Sequence, residues 1–140
     1  MTIRVRKTGL FPMVADILHA GHILALSKAK QHCETLIVAL NCNPDNKTPI
    51  QSVYERYIQL LGCRYVDAVI PYSGEKDLET LIKTTEYNVR FIGDDHSNAW
   101  TGKDWEEKNG IEIVVIPRDH GLSSSELKNR IRTKEKPDTV

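Results

Sequence analysis

Asp16-Ile17-Leu18-His19-Ala20-Gly21-His22 sets two histidines three residues apart, with a glycine between them, where an apolar run passes into a helical pattern. Residues three apart share one face of a helix, and a helix's first turn presents unpaired N–H groups carrying partial positive charge. That combination describes a phosphate-binding turn. Two plainer readings use the same residues. A zinc site is disfavoured because His-x-x-His lacks the i, i+4 spacing of zincin helices and no third ligand stands close by. An ordinary pair of buried histidines bonded to backbone carbonyls is the other, and the rest of the chain has to decide.

A second anion-binding feature lies far along the chain. Ser123, Ser124 and Ser125 stand at a helix start, where hydroxyls and backbone amides can meet an anion, and Arg118 upstream adds a charged fork. Alone, this is equally a serine cap beside a solvated arginine. Paired with His19 and His22, it reads as a polyphosphate site.

The elements that must position these groups follow from periodicity. Residues 8–15 are an apolar run suited to a buried strand, interrupted by Pro12. His22, Ile23, Leu26, Ala29 and Lys30 then recur at helical spacing until about Gln31-His32. Residues 35–40 are continuously apolar, like a parallel strand covered on both faces. Strand, phosphate turn, helix and strand make one βαβ unit. A polar loop over 41–51 carries Lys47; Ser52-Val53-Tyr54-Glu55 matches a capping box, and Tyr57, Ile58, Leu60 and Leu61 continue that helix to Gly62. A short strand at 68–70 before Pro71, a helix over 75–85 and a strand at 89–93 come next, the last running into Asp94 and Asp95. A brief helix at 104–109, a strand at 111–116 and a final helix opened by the serines complete the pattern. The expected fold is α/β, a Rossmann-like, mainly parallel five-stranded sheet with helices on both faces, formed by one domain over 1–132 with a charged tail over 133–140 that frays. In such sheets ligands sit at the carboxyl ends of the strands, where His19 to His22, the Lys47 loop, Asp94 and the Arg118 to Ser125 segment all fall.

Composition narrows the function classes. The 140 residues suffice for one core, and 19 Lys plus Arg balance 19 Asp plus Glu, so no global field draws the chain to nucleic acid or an anionic membrane. The basic start, Met1 to Lys7, lacks the apolar stretch of a signal peptide, and no run approaches a membrane span; the expected setting is cytoplasmic. Cys33, Cys42 and Cys63 form no C-x-x-C pair and read as reduced packing residues.

His19-Ala20-Gly21-His22, Arg64-Tyr65-Val66-Asp67, Gly93-Asp94-Asp95 and the run from Arg118 through Ser125 occur in the order and approximate spacing of the His-x-Gly-His nucleotidyltransferases. Nearly the whole chain resembles their small cytidylyltransferase branch, most of all the members acting on glycerol 3-phosphate. That resemblance implies attack by an acceptor phosphate on the α-phosphorus of CTP, release of pyrophosphate and no covalent enzyme intermediate. It implies that His19, His22, Lys47 and Arg118 carry the catalysis. Met13, Val14, Ala15, Gly21, Asp94, Ser123, Ser124 and Ser125 would hold the nucleotide, and Asp16, Arg56 and Arg64 the acceptor. Mg²⁺ is implied as cofactor, with metal ligands left open, and a homodimer as the assembly. Asp67 reads as turn chemistry outside the site.

The chain departs from that pattern in three places. Met13-Val14-Ala15-Asp16 replaces the usual Gly-Thr-Phe-Asp, which puts the first loop's geometry in question. The lysine loop is shorter, with Asp45 near the position of a second lysine, and His96 stands in place of tryptophan. Alternatives are an adenylyltransferase, a cytidylyltransferase for a sugar phosphate, another polyol phosphate or a phosphonate, and a nucleotide-binding module without turnover.

Overall fold

The structure, a computed structural model, describes residues 6–94, 98–118 and 121–134. The expectations placed on residues 1–5, Asp95, His96, Asp119, His120 and the tail over 135–140 lie outside the described residues.

Strands β1 (Thr8–Met13), β2 (Thr35–Asn41), β3 (Ala68–Tyr72), β4 (Val89–Gly93) and β5 (Glu112–Ile116) form a parallel sheet in the order β3-β2-β1-β4-β5. Between them run helices α1 (Ala20–Lys30), α2 (Val53–Leu61), α3 (Gly74–Thr84) and α4 (Lys103–Lys108), and α5 (Ser124–Thr133) closes the described chain. Side chains alternate across the sheet as the pleat requires. Leu36, Val38 and Leu40 join Phe11 and Phe91 in one cluster with Leu26 and Ala29 of α1 and Leu60 of α2. Leu10 and Ala39 face the other way, into a cluster with Leu78, Leu81 and Ile82 of α3 and, at its edge, Trp105 of α4. The Rossmann-like layering is the expected one.

Local chemistry explains most boundaries. Ser52 and Glu55 make the reciprocal capping box, and α2 ends with Gly62 as its C-cap. The third strand does not stop at Pro71 but runs through it to Tyr72. β3 is an edge strand paired with β2 alone, so a residue without an N–H leaves no ladder bond vacant there. Thr133, assigned to the tail by sequence, is the last residue of α5. Gly9 is required by contact: a Cβ there would lie 2.4 Å from Cε2 of the buried Phe91.

Pro12 has a topological role. β1 pairs with β2 along its whole length, to Met13↔Leu40, but with β4 only at Gly9↔Val89 and Leu10↔Arg90. Beyond Leu10 the two central strands part, and a strand with one open side tolerates proline. This is the switch point where the strand order reverses, and a crevice opens there.

Candidate active site

The crevice is a cleft of 930 Å³, within the range of small-molecule sites. Met13, Val14, Ala15, Asp16, His19, Gly21, His22, Lys47, Arg118, Ser123, Ser124 and Ser125 all line it, drawn from the ends of β1, β2 and β5 and the starts of α1 and α5.

The histidine turn has an unusual cap. His19 is the N-cap of α1, with its Nδ1 accepting from the Gly21 N–H at 3.0 Å, while His22 Nδ1 accepts from the His19 N–H at 3.2 Å. A backbone N–H can only donate, so both Nδ1 atoms hold lone pairs and each neutral ring carries its proton on Nε2. His19 Nε2–H donates to Ser124 Oγ at 3.0 Å, whose hydroxyl donates in turn to the Asp16 carbonyl at 3.1 Å. The Gly21 N–H is therefore engaged by His19, and the side-chain donors of the turn are the ring Nε2–H groups, that of His19 bonded to Ser124. Burial, then the neighbouring His19 ring, with which it cannot readily share a second positive charge, and the cations Arg118 and Lys47, push the His22 pKa down to about 4, with Asp16 opposing them. A cleft that holds a histidine neutral among cations is prepared for an anion.

The first loop is strained, though not at the position lacking glycine. Positive φ falls at Ala15 (56°) and Ile17 (49°), the latter β-branched and costly in that region. Met13 belongs to β1 and needs no glycine for its backbone. The strained segment is tied to the far end of the lysine loop: Gln51 Oε1 accepts from the Ile17 N–H at 2.7 Å, and the Asp16 carboxylate accepts from the N–H groups of Ile50 and Gln51, each at 3.0 Å.

Four sequence assignments change in role or place. Asp16, 7 % exposed, lines the cleft, but its carboxylate is engaged by those two N–H groups and by Lys128 Nζ at 2.8 Å. Burial opposes ionisation, yet the Lys128 and backbone hydrogen bonds outweigh it and hold the carboxyl below its usual range. It positions the turn rather than offering an empty ligand. Arg56, 1 % exposed, does not line the cleft: Nη1 donates to the carbonyls of Val14 (2.9 Å) and Asn41 (2.7 Å), and Nη2 approaches that of Cys42 at 3.5 Å. It clamps the ends of β1 and β2. Arg64 is exposed, with its guanidinium 5.3 Å from the Tyr65 ring, between α2 and the start of β3 and away from the cleft. Asp94 does not line the cleft either; it accepts from the Arg118 N–H at 2.9 Å and so aims the segment after β5. Asp67 accepts from the Leu36 N–H at 2.7 Å and pairs with Lys30, and it does not line the cleft.

Sequence reading missed Lys128, Arg90, Glu106 and Trp100. Lys128 lies four residues after Ser124, hence on the same face of α5, which was a usable signal. Arg90 inside an apolar strand was another, because a buried charge demands a partner. It finds Glu106 on α4 at 3.2 Å.

Among the described residues no group of three or more His, Cys, Asp or Glu could hold a metal, and no helix is long and apolar enough to cross a membrane. The three cysteines are free.

A family model described as cytidylyltransferase-like matches residues 10–136. Glycerol-3-phosphate cytidylyltransferase of Bacillus subtilis (strain 168) is 34 % identical over 120 residues, covering 83 % of this chain and 90 % of that protein. The enzyme of the same description from Staphylococcus aureus (strain NCTC 8325 / PS 47) is 31 % identical over 124 residues, covering 86 % and 91 %. In fold, the chain is similar to a lipopolysaccharide core biosynthesis protein from Thermoplasma volcanium GSS1, with a TM-score of 0.63 at 20 % identity over 81 % of this chain and 96 % of that one.

Proposed function

The chain belongs to the cytidylyltransferase-like family, and from that premise we propose that it transfers the cytidylyl group of CTP to a small phosphorylated acceptor, glycerol 3-phosphate first among the candidates. The acceptor phosphate oxygen attacks the α-phosphorus of CTP, the bond to the β-phosphate bridging oxygen breaks, and pyrophosphate leaves. That oxygen is already ionised near neutral pH, so the reaction needs no general base. Positioning and charge stabilisation carry it.

The observation behind this reading is the fixed proton position on both histidines. With each Nδ1 accepting from the backbone, both rings hold their proton on Nε2, that of His19 bonded to Ser124, and can donate to the triphosphate without a tautomer change. A phosphate oxygen takes the place of Ser124 Oγ as acceptor for His19, and the Ser124 hydroxyl then turns to the nucleotide. His22 Nε2–H stabilises charge growing at the α-phosphate. Arg118 and the start of α5, with Ser123, Ser124 and Ser125, receive the β- and γ-phosphates. Lys47 closes from the loop on the other side.

Mg²⁺ fits as a companion of the nucleotide rather than a resident of the protein. The Asp16 carboxylate is already engaged by three donors, so the ion would be held chiefly by phosphate oxygens, where it neutralises charge on the leaving pyrophosphate. A homodimer is supported by the exposed apolar residues Tyr54, Ile58 and Leu61, at helical spacing along α2. Free cysteines suit a cytoplasmic setting.

The test is pyrophosphate release with Mg²⁺, offering CTP and ATP separately against glycerol 3-phosphate and a panel of sugar and polyol phosphates. Release that requires CTP and one acceptor class is the expected result. Release with ATP alone would overturn the choice of base, and silence with CTP bound would overturn turnover itself.

A further inference from the structure

The segment that carries Lys47 is held at its two ends by side chains that accept backbone N–H groups. At the far end Ile50 and Gln51 donate to the Asp16 carboxylate, each at 3.0 Å. At the near end the loop meets the start of α3, a helix whose own N-cap, Ser73, makes no side-chain cap bond. The loop caps that helix instead. Asn41, which is buried, accepts through Oδ1 from the Gly74 N–H at 3.3 Å and from the Asn43 N–H at 3.1 Å, and Asp45 Oδ2 accepts from the Glu75 N–H at 3.5 Å. A carboxylate suits the place, since the first N–H groups of a helix lack intrahelical partners and carry partial positive charge. Gly74 makes the approach possible: its φ is +79°, and a Cβ there would stand 3.3 Å from Asp45 Oδ1.

Between the two anchors Asn46, Lys47, Thr48 and Pro49 form an arch, and all four line the cleft. Among the described residues none of the four is hydrogen-bonded to another element. Behind the arch is a hollow of 430 Å³ lined by residues 42–49 alone, so no packed core fixes its height over the cleft. The anchors must do that. The charge of Lys47 reaches across to His22, whose protonation it helps to oppose. Asp45 stands near the place of a second lysine in the family pattern, and here its charge is spent on α3 instead of on a phosphate. Because Asp45 is exposed, its hold on α3 is modest; a side-chain cap is typically worth a factor of about five in a local equilibrium.

Resting on the transferase reading above, we propose that Asp45 is a positioning residue for Lys47, a latch on the start of α3 that keeps the arch set against the cleft. Asp16 holds the other end of the same arch, so the lysine is presented between two carboxylate anchors on separate elements.

The experiment measures the latch and its consequence separately. Trypsin needs a locally opened chain, so cutting after Lys47, read from the mass of the 1–47 fragment, follows opening of the arch, whereas cutting after the buried Arg56 follows unfolding of the whole domain. Asp45→Ala should speed the first cut about fivefold and leave the second within about twofold. Asp45→Asn, which keeps an oxygen for the Glu75 N–H, should restore most of the protection. Steady-state pyrophosphate release with CTP and glycerol 3-phosphate then closes a double-mutant cycle: Asp45→Ala should lower kcat/KM about fivefold in the otherwise native chain and less than about twofold in Lys47→Ala. An unchanged cut after Lys47, an equal loss of kcat/KM with and without Lys47, or a gain in activity on removing the negative charge would overturn the latch. Absence of pyrophosphate release with any acceptor would overturn the transferase reading, and the trypsin rates would still decide whether Asp45 holds the arch.

Discussion

Lys128 Nζ lies 2.8 Å from Asp16 Oδ2, joining the last helix to the strained turn in front of His19. The same carboxylate receives two N–H groups from the end of the lysine loop, so three segments of the cleft meet on one side chain. Asp16→Ala leaves two partly buried donors and a lysine without their acceptor, and should cost roughly 3 kcal/mol in urea unfolding. Lys128→Met, at a half-exposed partner, should cost about 1 kcal/mol or less. Turnover should fall further than stability suggests for Asp16→Ala, by about a hundredfold, because the histidine turn loses its anchor. Wild-type turnover in a folded Asp16→Ala protein would refute this coupling.

The layering, the parallel five-stranded sheet and most helix boundaries could be read from the sequence because each rests on local signals. Ser52 and Glu55 cap where they should, and residues 35–40 are apolar on both faces because both faces are covered. The site was half legible. His19, His22 and Ser124 converge because phosphate chemistry restricts residue types and the topology brings their strand ends together. Arg56 was misplaced because a sequence gives its charge but not its direction, and three carbonyls at the ends of β1 and β2 claim it from inside. Arg90 stood out as a charge in an apolar strand, but its partner Glu106 did not, since the two lie on different elements and meet through tertiary packing alone.

Arg56 gives a direct test of that correction. Replacing it with lysine removes a fork that reaches the carbonyls of Val14 and Asn41 together, and should lower stability by about 2 kcal/mol or more. In the fraction that remains folded, the acceptor KM should change by less than about threefold, since the side chain is buried away from the cleft. A rise in acceptor KM with unchanged thermal stability would restore the acceptor-binding assignment.

His22 makes both stability and binding depend on pH. Its folded pKa of about 4 lies below the ordinary value of 6.5, so the unfolded chain takes up the proton first. The stabilisation is fully present above pH 6.5 and is lost progressively as pH falls toward 4, amounting to roughly 3 kcal/mol at 1.36 kcal/mol per unit. His22→Gln should flatten that slope in urea titrations. A bound triphosphate raises the pKa of the same ring, so CTP binding near pH 5.5 should take up protons. Calorimetry in two buffers of different ionisation enthalpy measures that uptake, and it should vanish in His22→Gln.

The histidines should matter more to the transition state than to the ground state. Both Nε2–H donors are fixed before substrate arrives, by N–H groups of their own turn, and a preorganised donor gains most where charge grows during reaction. Loss of one such donor typically costs 10²–10³ in rate. His22→Ala should therefore lower kcat by about that factor while the Kd for CTP rises only severalfold. His19→Ala should show the same division with an added structural penalty, because His19 also caps α1 and bonds Ser124. Asparagine at position 19 can supply the capping oxygen and so separates the two effects: His19→Asn should recover much of the stability lost in His19→Ala and little of the turnover. Equal losses in kcat and in CTP affinity for His22→Ala would assign that ring to ground-state binding instead.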